Sequence, residues 1–170
     1  VVELPLYASP IAVVFRLEGV DRLAMSPATL AGVFARTITR WDAPEIAADN
    51  PGVALPDLPI TPVHRSDESG TTETFTAYLA EAAPEAWPYE PAGTWPIEGG
   101  QSAQGTSGVV QTVADGDGTI GYADASKAGG LGTVALRVGD AEVSLSAEAA
   151  AALVAASPVE QGRGPASLVL

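Results

Sequence analysis

The sequence contains no cysteine, which excludes disulfides and thiolate metal sites. It has one histidine, His64, which excludes a multi-histidine zinc site. Basic residues are scarce: eight Lys and Arg stand against 21 Asp and Glu, for a net charge of −13. That balance argues against non-specific nucleic-acid binding and against adhesion to anionic membranes. No apolar run reaches the roughly 18 residues of a membrane span. There is no P-loop lysine pattern and no dinucleotide fingerprint. The acidic residues show no calcium-loop spacing, because ADGDG from Ala114 lacks the later ligands of such a loop. Neither a metal nor a cofactor is expected, and nucleic acid is not expected as a partner.

What is present suits one α/β domain over residues 1–170, with 46% hydrophobic residues to build a core. VVELPLYA and IAVVFRL read as strands. SPATLAGVFART reads as a helix with Ser26 as N-cap, Pro27 in the first turn, and Leu30, Val33 and Phe34 on one face. Asp42, with Glu45 three residues on, reads as the cap of a short helix that Asn50-Pro51-Gly52 stops. LPITPVHR is a strand, and Thr71 to Ala82 is a helix by the spacing of Phe75, Tyr78, Leu79 and Ala82. PEAWPYEPAGTWP carries too many prolines for a helix and reads as a surface loop. GTSGVVQTVADGDG reads as a short helix closed by Gly116, and TIGYAD as a buried strand. TVALRVG and AEVSLS read as a hairpin around Gly139-Asp140, and SAEAAAALVAAS as a helix capped by Ser146. Alternation of strands and helices predicts a mixed sheet flanked by helices. The start at VVELPLY, without methionine, and the apolar end SLVL suggest a piece of a longer protein.

One junction concentrates chemistry. HRSDESGTTETFTAYL, His64 to Leu79, is a strand end, a polar turn and a helix start. Three readings compete. The bland one is a polar loop with a Ser or Asp N-cap. A catalytic triad of His64, Asp67 and Ser69 is weak, since His64 and Arg65 alternate in direction on a strand and the strained G-x-S-x-G elbow is missing. The third is an anion seat: N–H groups of a first helical turn lack intrahelical acceptors, and the dipole makes that end partly positive. Gly70 leaves room for close approach. Ser69, Thr71 and Thr72 add hydroxyls, and Arg65 adds a bidentate fork. GQSAQGTSGVV from Gly100 repeats the theme as low-specificity turn chemistry.

ITRWDAPEIAADNPGVALPDLPITPVHRSDESGTTETFTAYL and GTSGVVQTVADGDGTIGYAD resemble segments of the phosphate-binding proteins of bacterial ABC transporters, actinobacterial members above all. R-S-D-x-S-G-T in a strand-to-helix turn is the specific element. The resemblance implies a type II periplasmic-binding-protein-like lobe, the second of two, with the first lobe absent from this chain. It implies phosphate binding by Arg65, by the Ser69 hydroxyl and N–H, by the Gly70 and Thr71 N–H groups and by the Thr71 hydroxyl. Asp67 would hold Arg65 in place. Gly105, Thr106 and Ser107 receive no phosphate contact. The role implied is a non-enzymatic extracytoplasmic receptor, attached at the cell surface in the full-length protein, that delivers inorganic phosphate to a membrane permease. The missing lobe would supply a carboxylate acceptor, the physical basis for preferring protonated phosphate to sulfate. Two other readings remain: a receptor lobe for another tetrahedral oxyanion such as sulfate, or a structural or interaction domain of the same fold.

Overall fold

A computed structural model describes residues 10–139 and 141–144. The readings of VVELPLYA as a strand and SAEAAAALVAAS as a helix lie outside the described residues. Among the described residues, seven strands form one mixed sheet: β1 (Ile11–Arg16), β2 (Arg22–Met25), β3 (Thr61–Arg65), β4 (Gln101–Ala103), β5 (Thr119–Asp124), β6 (Gly132–Val138) and β7 (Ala141–Val143). Their order is β2-β6-β1-β5-β3-β4, with β7 paired to the end of β6. β1 runs antiparallel to β5 and β6; β3 runs parallel to both its neighbours, β4 and β5.

The strand alternation divides the core into two layers. Val13 and Phe15 of β1, with Ile120 and Tyr122 of β5, face a larger cluster on one side. That cluster takes Leu30, Val33 and Phe34 from α1 (Pro27–Phe34), Ile46 from α2 (Pro44–Asp49), and Phe75 and Leu79 from α3 (Gly70–Ala82). Ala12, Val14, Val63 and Ala123 face the other side, against Val109 and Val113 of α4 (Gly105–Asp115). Gly121 allows this close packing: a Cβ there would lie 3.0 Å from side-chain carbons of both valines.

Helix starts follow local chemistry with one exception. Ser26 caps α1 and accepts the Thr29 N–H, as its position before Pro27 implies. Asp42 does not cap α2. The helix begins at Pro44, whose fixed φ suits the first turn, with Ala43 as N-cap and no side-chain cap bond. The Asp42 carboxylate instead accepts from Arg40 Nε at 3.3 Å. The proline-rich segment is the irregular, largely exposed loop expected, with one addition. Within it Trp87 is 1% exposed and Trp95 packs on the larger cluster. Irregular backbone and core side chains are compatible when the prolines set the path and the rings supply the buried area.

Candidate functional site

The chain order β3-α3-β4-α4-β5 contains two parallel crossovers. The first runs from β3 to its neighbour β4; the second runs back from β4 across β3 to β5. Right-handed crossovers in opposite directions must cover opposite faces, and α3 and α4 do pack on opposite sides of the sheet. The chain therefore leaves the carboxyl ends of the adjacent strands β3 and β4 toward opposite faces, the place where open α/β sheets form ligand crevices. Arg65 is the last residue of β3, opposite Ala103 at the end of β4.

Arg65 and Asp67 meet edge to edge at this crevice. Arg65 Nε donates to Asp67 Oδ1 at 2.7 Å, and Nη2 donates to Oδ2 at 2.5 Å. Nη1 points to Thr106 Oγ1 at 3.5 Å. Of five guanidinium N–H donors, two engage Asp67 and the Nη1–Nη2 edge remains for other acceptors. Asp67 is also held from the far side, because the Gly105 N–H at the start of α4 donates to Oδ1 at 3.0 Å. Hydrogen bonds from Arg65 and then Gly105 push the Asp67 carboxyl well below the ordinary carboxylate range. The Asp67 bond likewise raises Arg65 despite partial burial. The Asp67 carboxylate is thus already paired with three N–H donors from two residues.

The start of α3 lies three residues beyond Asp67. Ser69 is its N-cap in extended backbone, and Ser69 Oγ accepts the Thr71 N–H at 3.2 Å. The helix starts at Gly70, one residue before the predicted start. Gly70 is exposed, and a Cβ built on it would meet nothing within 4 Å. One expected donor is engaged elsewhere. The Ser69 N–H donates to Gly93 O at 2.9 Å, so the proline-rich segment already occupies it. The Ser69 hydroxyl hydrogen remains as an outward donor, whereas the Thr71 N–H, also expected at the seat, is taken by Ser69 Oγ.

His64 does not join Asp67 and Ser69 as a triad. Its Nδ1 lies 3.0 Å from Arg65 O, and its ring stacks on Trp95 at 5.2 Å. One residue that sequence reasoning missed, Tyr122, sits beneath the seat, and Thr72, expected to add a hydroxyl to the seat, is buried against it instead. Tyr122 is 1% exposed; its hydroxyl lies 2.8 Å from Thr72 Oγ1 and accepts the Arg65 N–H at 3.3 Å. Burial pushes the Tyr122 phenol up, which keeps it protonated. TIGYAD announces a buried strand, and a polar atom on it is the one signal that a partner must exist. Among the described residues, no group of three or more His, Cys, Asp or Glu side chains could hold a metal.

The family profile of the PBP superfamily domain matches residues 1–169. The chain belongs to the PBP superfamily. Within it, phosphate-binding protein PstS 2 of Mycobacterium tuberculosis is 38% identical over 120 residues, covering 71% of this chain and 32% of that protein. Phosphate-binding protein PstS of Xylella fastidiosa is 37% identical over 116 residues, covering 65% and 31%. A solved structure of a high-affinity periplasmic phosphate-binding protein (PfluDING) bound with phosphate superimposes with a TM-score of 0.78 at 26% identity, covering 95% of this chain and 47% of that one. This PBP-superfamily chain thus spans about a third of the length of the PstS relatives and about half of the solved protein.

Proposed function

We propose that the chain is one lobe of an extracytoplasmic phosphate receptor and carries half of a phosphate cleft. The observation that carries this reading is the Arg65 guanidinium, clamped on one edge by Asp67 with Nη1 directed at Thr106, at the strand end that leads through Asp67 into the Ser69-capped start of α3. In this reading Arg65 forms charge-assisted hydrogen bonds with phosphate, and Gly70 lets the backbone approach closely. Ser69 contributes its hydroxyl, and Thr71 its hydroxyl and, once released from Ser69 Oγ, its N–H. The PstS relatives, named as phosphate-binding proteins, support the choice of ligand.

The whole protein would be two-lobed, with this lobe closing on another that supplies the remaining donors and a carboxylate acceptor. It would hand phosphate to a membrane permease and act by binding rather than catalysis. The periplasmic relative supports the location outside the cytoplasm. The net charge of −13 does not oppose this reading. Exposed charges beyond about 8 Å are largely screened at physiological salt, so local donors decide.

A titration of the isotope-labelled chain with inorganic phosphate tests the proposal. Half a cleft should bind weakly, with Kd on the order of millimolar, about −4 kcal/mol. The expected result is saturable movement of the Ser69–Thr72 amide signals and of the Arg65 side-chain signal. If these signals stay still at roughly tens of millimolar phosphate, on the same scale, the chain has no preformed seat.

A further inference from the structure

We propose that the Tyr122 hydroxyl is a positioning group for the anion seat, setting the Arg65 backbone against the first turn of α3. This rests on the phosphate-site reading above and names a residue that makes no contact with the ligand in it.

The case starts from the sheet. β3 and β5 keep parallel register from Thr61–Thr119 to Val63–Gly121. Two residues beyond, the Arg65 N–H donates to a side-chain oxygen, the Tyr122 phenol. The same oxygen meets Thr72 Oγ1, and Thr72 is a 0%-exposed residue in the first turn of α3. A phenol offers one donor and two acceptor sites, enough for both partners. One atom on β5 therefore ties the strand that ends in the guanidinium to the helix that offers the N–H groups.

The hydroxyl is itself fixed. The Tyr122 ring stacks on Phe75 at 4.5 Å and on Trp95 at 5.7 Å, with Phe34 against it edge-on at 6.1 Å. Rings packed on these sides leave the phenol little freedom to follow a shift of Arg65 or Thr72. A binding constellation needs its parts held within about half an ångström of the productive geometry, and a supporting shell of this kind provides that. Phenylalanine keeps the ring stack and removes the oxygen, so Tyr122→Phe isolates the hydroxyl from the packing.

The rival account is that the oxygen merely satisfies the buried Thr72 hydroxyl. Tyr122→Phe with Thr72→Val separates the two, because it removes both hydroxyls and leaves no orphan between them. The experiment is a phosphate titration of the labelled 170-residue chain and both variants, with amide hydrogen exchange recorded at Arg65. The expected result is that the double variant melts at or above the single one. Both should bind phosphate about five- to tenfold more weakly than the unmodified chain, the weight of a lost hydrogen bond, and the Arg65 amide should exchange faster by a similar factor. Binding by the double variant within about twofold of the unmodified chain overturns the proposal, since that is below the effect of one hydrogen bond. If the unmodified chain does not respond to phosphate, the site reading fails instead. Arg65 exchange then still decides the hydroxyl's role, and an unchanged rate refutes it.

Discussion

The two helix starts at the crevice do opposite things. At α3, Ser69 caps the turn, Gly70 is exposed, and the space above it is open. At α4, Gln104 provides no side-chain cap bond, and the Gly105 N–H turns inward to Asp67. Both ends carry the same partial positive charge. One faces open space; the other stabilises a carboxylate belonging to the protein. The difference teaches that a helix end is a site only if its neighbours leave its donors unclaimed. It also explains how an acidic chain can keep a locally positive seat: the nearest carboxylate is answered by a guanidinium and a helix terminus together.

The contrast can be broken most directly at Arg65. Arg65→Lys should lower phosphate affinity by tenfold or more, roughly 1.5–3 kcal/mol, because an ammonium cannot hold Asp67 and an oxyanion on two planar edges. Calorimetric or NMR titration checks this; unchanged binding would assign the seat to the helix end alone. At the other helix, Gly105 has φ +71°, which side-chain-bearing residues adopt with strain. Gly105→Ala should cost about 1 kcal/mol of stability in denaturant unfolding. It should also raise the Asp67 carboxyl toward its ordinary range as the Gly105 bond loosens.

Gly70→Ala sharpens the contrast from the outward side. The backbone there is ordinary and the space is open, so unfolding stability should hold or rise by a few tenths of a kcal/mol. Phosphate signals should weaken severalfold, because the added methyl crowds the approach. A variant that binds as before would mean the glycine is not needed for access. The gentlest test perturbs nothing. A carbonyl-carbon titration of Asp67 should show its midpoint well below the ordinary value of about 3.9. The sign follows from the depressed folded-state value. The pair's contribution is complete above the ordinary carboxylate range and disappears only as pH falls through the folded-state midpoint. The Arg65–Asp67 clamp should therefore persist where most surface carboxylates are already protonated.

Much of this was legible from residue patterns. The apolar spacing in α1 and α3 marked their buried faces, and the Arg65–Thr71 turn stood out because donors of several kinds share one short stretch. Two strands escaped. β2 has four residues and β4 three, too short for alternation to speak, and each is defined by parallel pairing with a distant strand. The start of α2 was misplaced because Pro44 outranked the carboxylate of Asp42. In the seat, the bond from Ser69 to Gly93 was invisible, since a carbonyl has no letter of its own in a sequence. Tyr122 was hidden for a different reason. Its partners Arg65 and Thr72 lie 57 and 50 residues away, and only the packing of α3 against the sheet brings them together.

The ring stack under the crevice gives the molecule an optical property. Trp95 lies nearly parallel to His64 at 5.2 Å and to Tyr122 at 5.7 Å, while Trp87 stands tilted beside it at 5.3 Å. An indole at this distance from a phenol and a second indole shares excitation with them, an adjacent imidazole can quench it, and its emission depends on their spacing. Tyr122 is hydrogen-bonded to the Arg65 backbone N–H, so a ligand that shifts this strand end should be reported in the native tryptophan light, without a dye.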